Sequence, residues 1–335
     1  MEASKTELLR VAELETWNPA LFRDVLKAAA VVNEEPDIIL DPEGIKVVSM
    51  SPDHVCLVDL LLTRDFFDVY DVIDEHRGAL NLKYLNKLIF NRKTGKLKDS
   101  SLKVTLKGET MIFEGSGKLS GRKTLNLLDP YEEETPKPEL VYDAKVTLVT
   151  DTLKKVMNDC TVDPNIVITV DSDKVVFLCK NDEYLEENTL DKYDDDIINL
   201  HTEGTQKAIY ALEYLNQFPR VLVKIAEVVT LEFSTDTPMK ISADLPGGSH
   251  LIYHIAPKTW PGKPEEPDPH EDQQVEPAAP EAVDDPHEEP EEIQHIEEIS
   301  EVEAAPDPHE DQLSLGELYL KYYAEALARH TAEAD

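Results

Sequence analysis

Residues 82–98, LKYLNKLIFNRKTGKLK, hold six cationic side chains (Lys83, Lys87, Arg92, Lys93, Lys96 and Lys98) and no carboxylate, in a chain of 335 residues whose formal net charge is -36. Clustered ammonium and guanidinium groups do one kind of chemistry above all: they attract phosphate. Three other segments with helical apolar spacing also carry base off their apolar side. They are residues 19–32, with Arg23 and Lys27; residues 150–159, with Lys154 and Lys155; and residues 205–217, with Lys207 inside and Arg220 just behind. The segment opening the basic stretch, residues 80–91, has Lys83 and Lys87, with Arg92 and Lys93 in the loop that follows. One such face alone reads as ordinary solvated helix. Four on one face of the domains make a cationic stripe, the footprint of a polyanion.

Nothing beside the stripe reads bases. There is no zinc-ligand spacing, no basic region joined to heptads, and no aromatic array for stacking single strands. Lysine so placed points to contact with the backbone of double-stranded DNA irrespective of sequence. Catalysis finds little support either. No phosphate-cradling glycine loop, nucleophile elbow or His-Glu metal motif occurs, and carboxylate runs such as DKYDDD (191–196) read as solvated loops. The expectation is a protein that is not an enzyme and has no cofactor and no metal. A DNA-free interaction scaffold, its basic faces merely solubilising, is the competing reading.

The three cysteines (Cys56, Cys160 and Cys179) form no CxxC pair and sit among apolar residues, so reduced, buried thiols are expected. No apolar run is long enough to span a bilayer, and MEASKTELLR lacks the apolar core of a signal peptide. The expected setting has no membrane: cytoplasmic and nucleoid-associated, or nuclear in a eukaryote.

The elements that would position the stripe come in duplicate. At an offset of 128, Lys46-Val47-Val48 falls on Lys174-Val175-Val176 and Ile38-Ile39-Leu40 on Ile166-Val167-Ile168. At the same offset Leu21, Val25, Ala28 and Val32 fall on Val149, Leu153, Val156 and Cys160, one face of a helix in each case. At an offset of 130, LKYLNKLIF (82–90) matches LEYLNQFPR (212–220). Each half reads as helix, strands, helix, strands. The expected class is α+β, with antiparallel sheets and the helices gathered on one face.

Two stretches carry a family likeness. DPEGIKVVSMSPDHVCLVDL (41–60) and TPMKISADLPGGSHLIYHIAPK (237–258) closely resemble the opening and closing signatures of the sliding DNA clamps called proliferating cell nuclear antigen, and KPELVYDAKV (137–146) is similar to the linker of the archaeal form. The likeness covers about residues 12–258. It implies two similar clamp domains, helices lining the hole of a ring and sheets outside, with three subunits closing that ring as copies of one chain or as related chains. The division it implies is an N-terminal extension (1–11), clamp domain 1 (12–127), linker (128–142) and clamp domain 2 (143–260). The function it implies is a processivity factor that tethers DNA polymerase and other replication and repair enzymes.

By the same likeness Arg23, Lys27, Lys83, Lys87, Lys154, Lys155 and Lys207 face DNA. Partners, including polymerase, flap endonuclease, DNA ligase and clamp loader, would dock a peptide of glutamine, an aliphatic and two aromatics under the linker. Its pocket would comprise Met50, His54, Val55, Leu57, Leu140, Pro238, Ala256, Pro257 and Lys258, with His254 where many relatives have tyrosine. The strand around 109–117 is the expected donor edge for ring closure, and its mate falls in 188–200.

Residues 261–312 are another kind of polymer. Residues 261–335 hold 24 Asp/Glu and 3 Lys/Arg, a net of -21 that leaves -15 for the rest, and ten of the 22 prolines. Such a segment buries too little apolar surface to fold. PDPHEDQ occurs in it at 267–273 and 306–312, where an extended chain fixes no metal geometry. Composition then turns, and residues 313–330 read as an amphipathic helix. Gln312, Leu315, Leu318 and Tyr319 nearly match the clamp-docking peptide, with leucine for its first aromatic, which makes self-docking and control of partner access a further reading.

Overall fold

A computed structural model describes residues 11–89, 99–131, 135, 137–138 and 140–258. Arg92 and Lys93, most of the N-terminal extension, and the tail with Gln312, Leu315, Leu318 and Tyr319 lie outside the described residues.

The first half runs β1 (Val11–Thr16), α1 (Pro19–Ala29), β2 (Asp37–Asp41), β3 (Gly44–Met50), β4 (Cys56–Thr63), β5 (Val69–Asp71), β6 (His76–Ala79), α2 (Leu82–Ile89), β7 (Leu102–Lys107), β8 (Thr110–Gly115) and β9 (Gly121–Asn126). The second runs β10 (Ala144–Val149), α3 (Thr150–Asp159), β11 (Asn165–Val170), β12 (Lys174–Lys180), β13 (Leu185–Asp191), β14 (Ile197–Thr202), β15 (Gln206–Ala211), α4 (Leu212–Leu222), β16 (Val228–Phe233), β17 (Met239–Leu245), β18 (Ser249–Ile255) and β19 (Pro257–Lys258).

Strand order carries the duplication. The first half pairs β5-β1-β7-β8-β9 and, separately, β6-β2-β3-β4; the second pairs β14-β10-β16-β17-β18 and β15-β11-β12-β13, with β19 added beside β15. One order maps onto the other strand for strand, every pairing antiparallel, so β4 corresponds to β13 and β9 to β18. The matched blocks of sequence are β2 with β11, β3 with β12, and α2 with α4. The two halves fuse where β18 pairs with β4, which makes a nine-stranded sheet. Their equivalents β9 and β13 end their sheets among the described residues. The strand expected as the donor edge, 109–117, is β8, and β9 covers it; the 188–200 region divides between β13 and β14, both edges.

Alternation aims the side chains. On β18, Leu251, Tyr253 and Ile255 enter the core, while His250, Ile252 and His254 take the other face. The helices cover the core side. α1 starts where Asn18 Oδ1 accepts the Leu21 N–H at 3.1 Å and Pro19 takes a position that needs no donor. Its Phe22, Val25, Leu26 and Ala29 are buried. α1 lies beside α2 and α4, and α4 beside α3, so the four form one row, α2-α1-α4-α3.

Two expectations fail here. Residues 206–211 form strand β15 and α4 starts only at Leu212, so the fourth helix is displaced toward the C-terminus from 205–217. Residues 208–212, AIYAL, are apolar throughout, and the buried β15 needs no helical period. Nor are all three cysteines thiols. Cys160, directly behind α3, is disulfide-bonded to Cys179 on β12 with Cα atoms 5.7 Å apart, and only Cys56 is free and buried. Forty per cent apolar sequence hid the fact that both side chains enter the same interior.

Tyr253 fastens the helical row to the seam between the halves. Its Oη donates to the Ala28 carbonyl in the last turn of α1 at 2.7 Å, and its ring stacks on Phe218 of α4 at 4.0 Å between centroids. Tyr253→Phe keeps the stack and removes one of the hydrogen bonds to the Ala28 carbonyl, which still accepts the Val31 N–H at 3.2 Å, and should lower unfolding free energy by about 1 kcal/mol. Tyr253→Ala should cost about 3–5 kcal/mol. Urea titration of both variants checks the difference.

Candidate nucleic-acid interface and outer groove

The row of helices gathers most, though not all, of the expected cations. Lys83 and Lys87 are exposed on α2, Lys155 is exposed and Lys154 half-buried on α3, and Lys27 is half-buried on α1. Arg220 is exposed on α4 and donates from Nε and Nη2 to Asn158 Oδ1 on α3, at 3.2 and 2.8 Å, tying the two helices together.

Arg23 is only 5% exposed and forms a bidentate ion pair with Asp24, both contacts 2.8 Å, so its charge is spent inside the protein. Lys207 sits on β15. Its neighbours Gln206, Ala208 and Tyr210 are buried on the core face that the helices cover, so Lys207 takes the opposite face. Neither residue joins the cationic row.

The row's field is moderate. Lys83 pairs with Glu34 at 2.6 Å, and Asp151 holds Lys155 at 3.0 Å and Lys154 at 3.6 Å. The hydrogen bond to Asp151 raises the Lys155 pKa, and the same bond lowers that of Asp151. Lys27 is shifted the other way, first by burial and then by the charges of Arg23 and Lys224. Lys224, exposed just past α4, is a member of the row that periodicity missed. The signal was present: it lies one helical turn after Arg220. Such a surface can attract phosphate weakly and without direction, and nothing in it fixes a base.

The far face of the nine-stranded sheet holds a groove of about 710 Å³, with Val48, Met50, His54, Lys46, Arg77 and Lys137 among its lining. Val48 and Met50 pack on Leu57 and Ala256, a small apolar cluster separate from the main core. The linker fastens along this face. Lys137 Nζ pairs with Asp59 at 2.8 Å, Tyr131 N donates to Asp37 Oδ1 at 3.0 Å, and Arg77 Nη2 bonds both Asp37 and the Tyr131 carbonyl.

Of the expected pocket residues, Met50 and His54 line this groove, while Leu57 and Ala256 are fully buried beneath Val48 and Met50. His54 is exposed and adopts φ 59°, a left-handed turn that aims it outward just before β4. Pro238 and Pro257 are buried, and Leu140 and Lys258 half-buried. Val55 is 2% exposed and belongs to the main core, so it does not line the groove. It precedes β4 on the inward side of the turn.

His254 stands in register between Leu57 on β4 and Lys240 on β17. It is 5% exposed, and its Nδ1 has no hydrogen-bond partner. Burial, reinforced by Lys240 and Lys137 against the opposing Asp59 and Glu232, lowers its pKa to about 4. The imidazole is therefore neutral near pH 7. Among the described residues no group of three or more His, Cys, Asp or Glu is placed to hold a metal ion, and no helix is long and apolar enough to cross a membrane.

With this geometry in hand, the chain can be set beside known proteins. A family model described as "Proliferating cell nuclear antigen, C-terminal domain" matches residues 137–258. A "DNA polymerase sliding clamp" of Thermococcus gammatolerans is 28% identical over 250 residues, covering 71% of this chain and 94% of the relative. Its namesake from Thermofilum pendens is 21% identical over 238 residues, 71% of this chain and 95% of the relative. Among solved structures, the PCNA of Thermococcus kodakaraensis superposes with a TM-score of 0.69 at 21% identity, covering 74% of this chain and 100% of that one. The PCNA of Entamoeba histolytica gives 0.67 at 23%, covering 74% and 99%.

His254 has a pH signature. Its folded pKa lies below the ordinary value of 6.5, so its neutral form supports the fold above that pH, and the support is lost as pH falls toward 4. His254→Gln should remove up to about 3 kcal/mol of stability loss across that interval, because each pKa unit is worth about 1.4 kcal/mol. Urea unfolding of both proteins at pH 7 and pH 4.5 reads it: the gap between pH values should narrow in the variant.

Proposed function

We propose that the chain is a sliding clamp of the proliferating cell nuclear antigen family, which encircles duplex DNA and tethers DNA polymerase as a processivity factor. The observation that carries this is the single row α2-α1-α4-α3, cationic on its outer side and backed by sheets. Lys27, Lys83, Lys87, Lys154, Lys155, Arg220 and Lys224 face the duplex. The protein acts by enclosure and binding and performs no catalysis. The clamp domains span 12–127 and 143–260, joined by the linker 128–142.

The ring closes by repeating a join that the chain already contains. β18 pairs with β4 inside one chain, and the equivalents β9 and β13 are free edges. β9 of one copy therefore pairs with β13 of the next, head to tail, and such an interface must close or run on indefinitely. Three two-domain copies close it, the number the family likeness implies. Charge agrees: β9 carries Arg122 and Lys123, whereas β13 carries Glu186, Glu187 and Asp191. The outer groove receives docking peptides of the polymerase and of other replication enzymes, including flap endonuclease, ligase and clamp loader.

Two measurements test this reading. Loaded on closed circular DNA, the protein should stay bound and then slide off when the circle is cut; equal retention on both forms would contradict enclosure. Arg122→Glu combined with Lys123→Glu should shift the assembly from trimer to monomer by light scattering and abolish retention on circles.

A further inference from the structure

The groove and the chain's own C-terminal segment have matching chemistry. Val48 and Met50, packed on the buried Leu57 and Ala256, present an apolar surface in the groove, and around it Lys46 pairs with Asp41 and Glu43, Arg77 with Asp37 and Lys137 with Asp59. Beside that surface, the His254 Nδ1 is a buried acceptor that lacks a donor. After Lys258, which ends the described residues, the sequence runs 53 residues of Pro- and Glu-rich chain (259–311) and then turns apolar: Gln312, Leu315, Leu318 and Tyr319, with Asp307, Glu310 and Asp311 just ahead of them.

We propose that residues 312–319 dock in this groove, their leucines and Tyr319 ring on the Val48–Met50 surface, and compete with partner peptides for it. A random chain of 53 residues has a root-mean-square span of about 40 Å, and a Pro-rich acidic one extends further, so the segment is long enough to reach from β19 to the nine-stranded sheet. A tether of that length gives an effective concentration of about a millimolar. Even a segment that binds with a dissociation constant near 0.1 mM then occupies the groove most of the time. It weakens an incoming peptide about tenfold. The tail is thus a built-in threshold: tight partners displace it and weak ones do not. This rests on the groove being the partner site.

The test uses the full chain with two tail substitutions, Leu318→Ala and Tyr319→Ala, against the unaltered protein. A fluorescent peptide of glutamine, leucine and two phenylalanines at docking spacing is titrated into each by anisotropy. The expected result is about tenfold tighter binding to the tail variant, together with direct binding of a synthetic 306–330 peptide to that variant. Added Met50→Glu should abolish both. Equal affinity for the two proteins overturns tail docking while leaving the groove as partner site. Failure of the phenylalanine peptide to bind either protein overturns both readings.

Discussion

The main-chain ladder between β18 and β4 is the constraint from which the rest follows. Six residue pairs, His250 with Leu61 through Ile255 with Cys56, make two duplicated halves into one continuous sheet. On its inner side Tyr253 holds α1 of the first half and α4 of the second, which is what makes four helices a single row. On its outer side the same strands supply Leu57 and His254, and Ala256 follows at once. The cationic surface and the groove are the two faces of one seam.

Electrostatics in this molecule is more restrained than a count of lysines implies. Glu34 and Asp151 sit against the cations of α2 and α3, and Lys27 lies close enough to Arg23 and Lys224 for its proton affinity to fall. Exposed ion pairs of this kind contribute little to stability. Their effect is on the field: they leave the helical row only moderately positive.

Much of this was legible in the sequence, because burial imposes periodicity. Strands β2, β3, β11 and β12 and helices α1 and α3 emerged from apolar spacing, and the duplication from matched blocks. Spacing is blind to pairing. Arg23 reads as a surface cation until Asp24, the next residue, folds against it and both are buried. Lys207 reads as helical because 208–212 is apolar throughout, and only the sheet shows which side it takes. Val55 and Leu57 are alike in type and two residues apart, yet Val55 joins the main core and Leu57 the small cluster beneath Val48 and Met50. The disulfide depends on which buried side chains behind α3 and on β12 meet, which no local pattern records.

The join within the chain has supports that a bare strand pair lacks. Where β17 turns into β18, Gly247 adopts φ 72°, and a Cβ there would lie 2.6 Å from the backbone of Asp65. This close approach lets Thr63 Oγ1 donate to the Gly247 carbonyl at 2.7 Å while Thr63 N donates to Ser249 Oγ at 2.9 Å. The backbone of one half is thereby latched to that of the other, beyond the ladder itself.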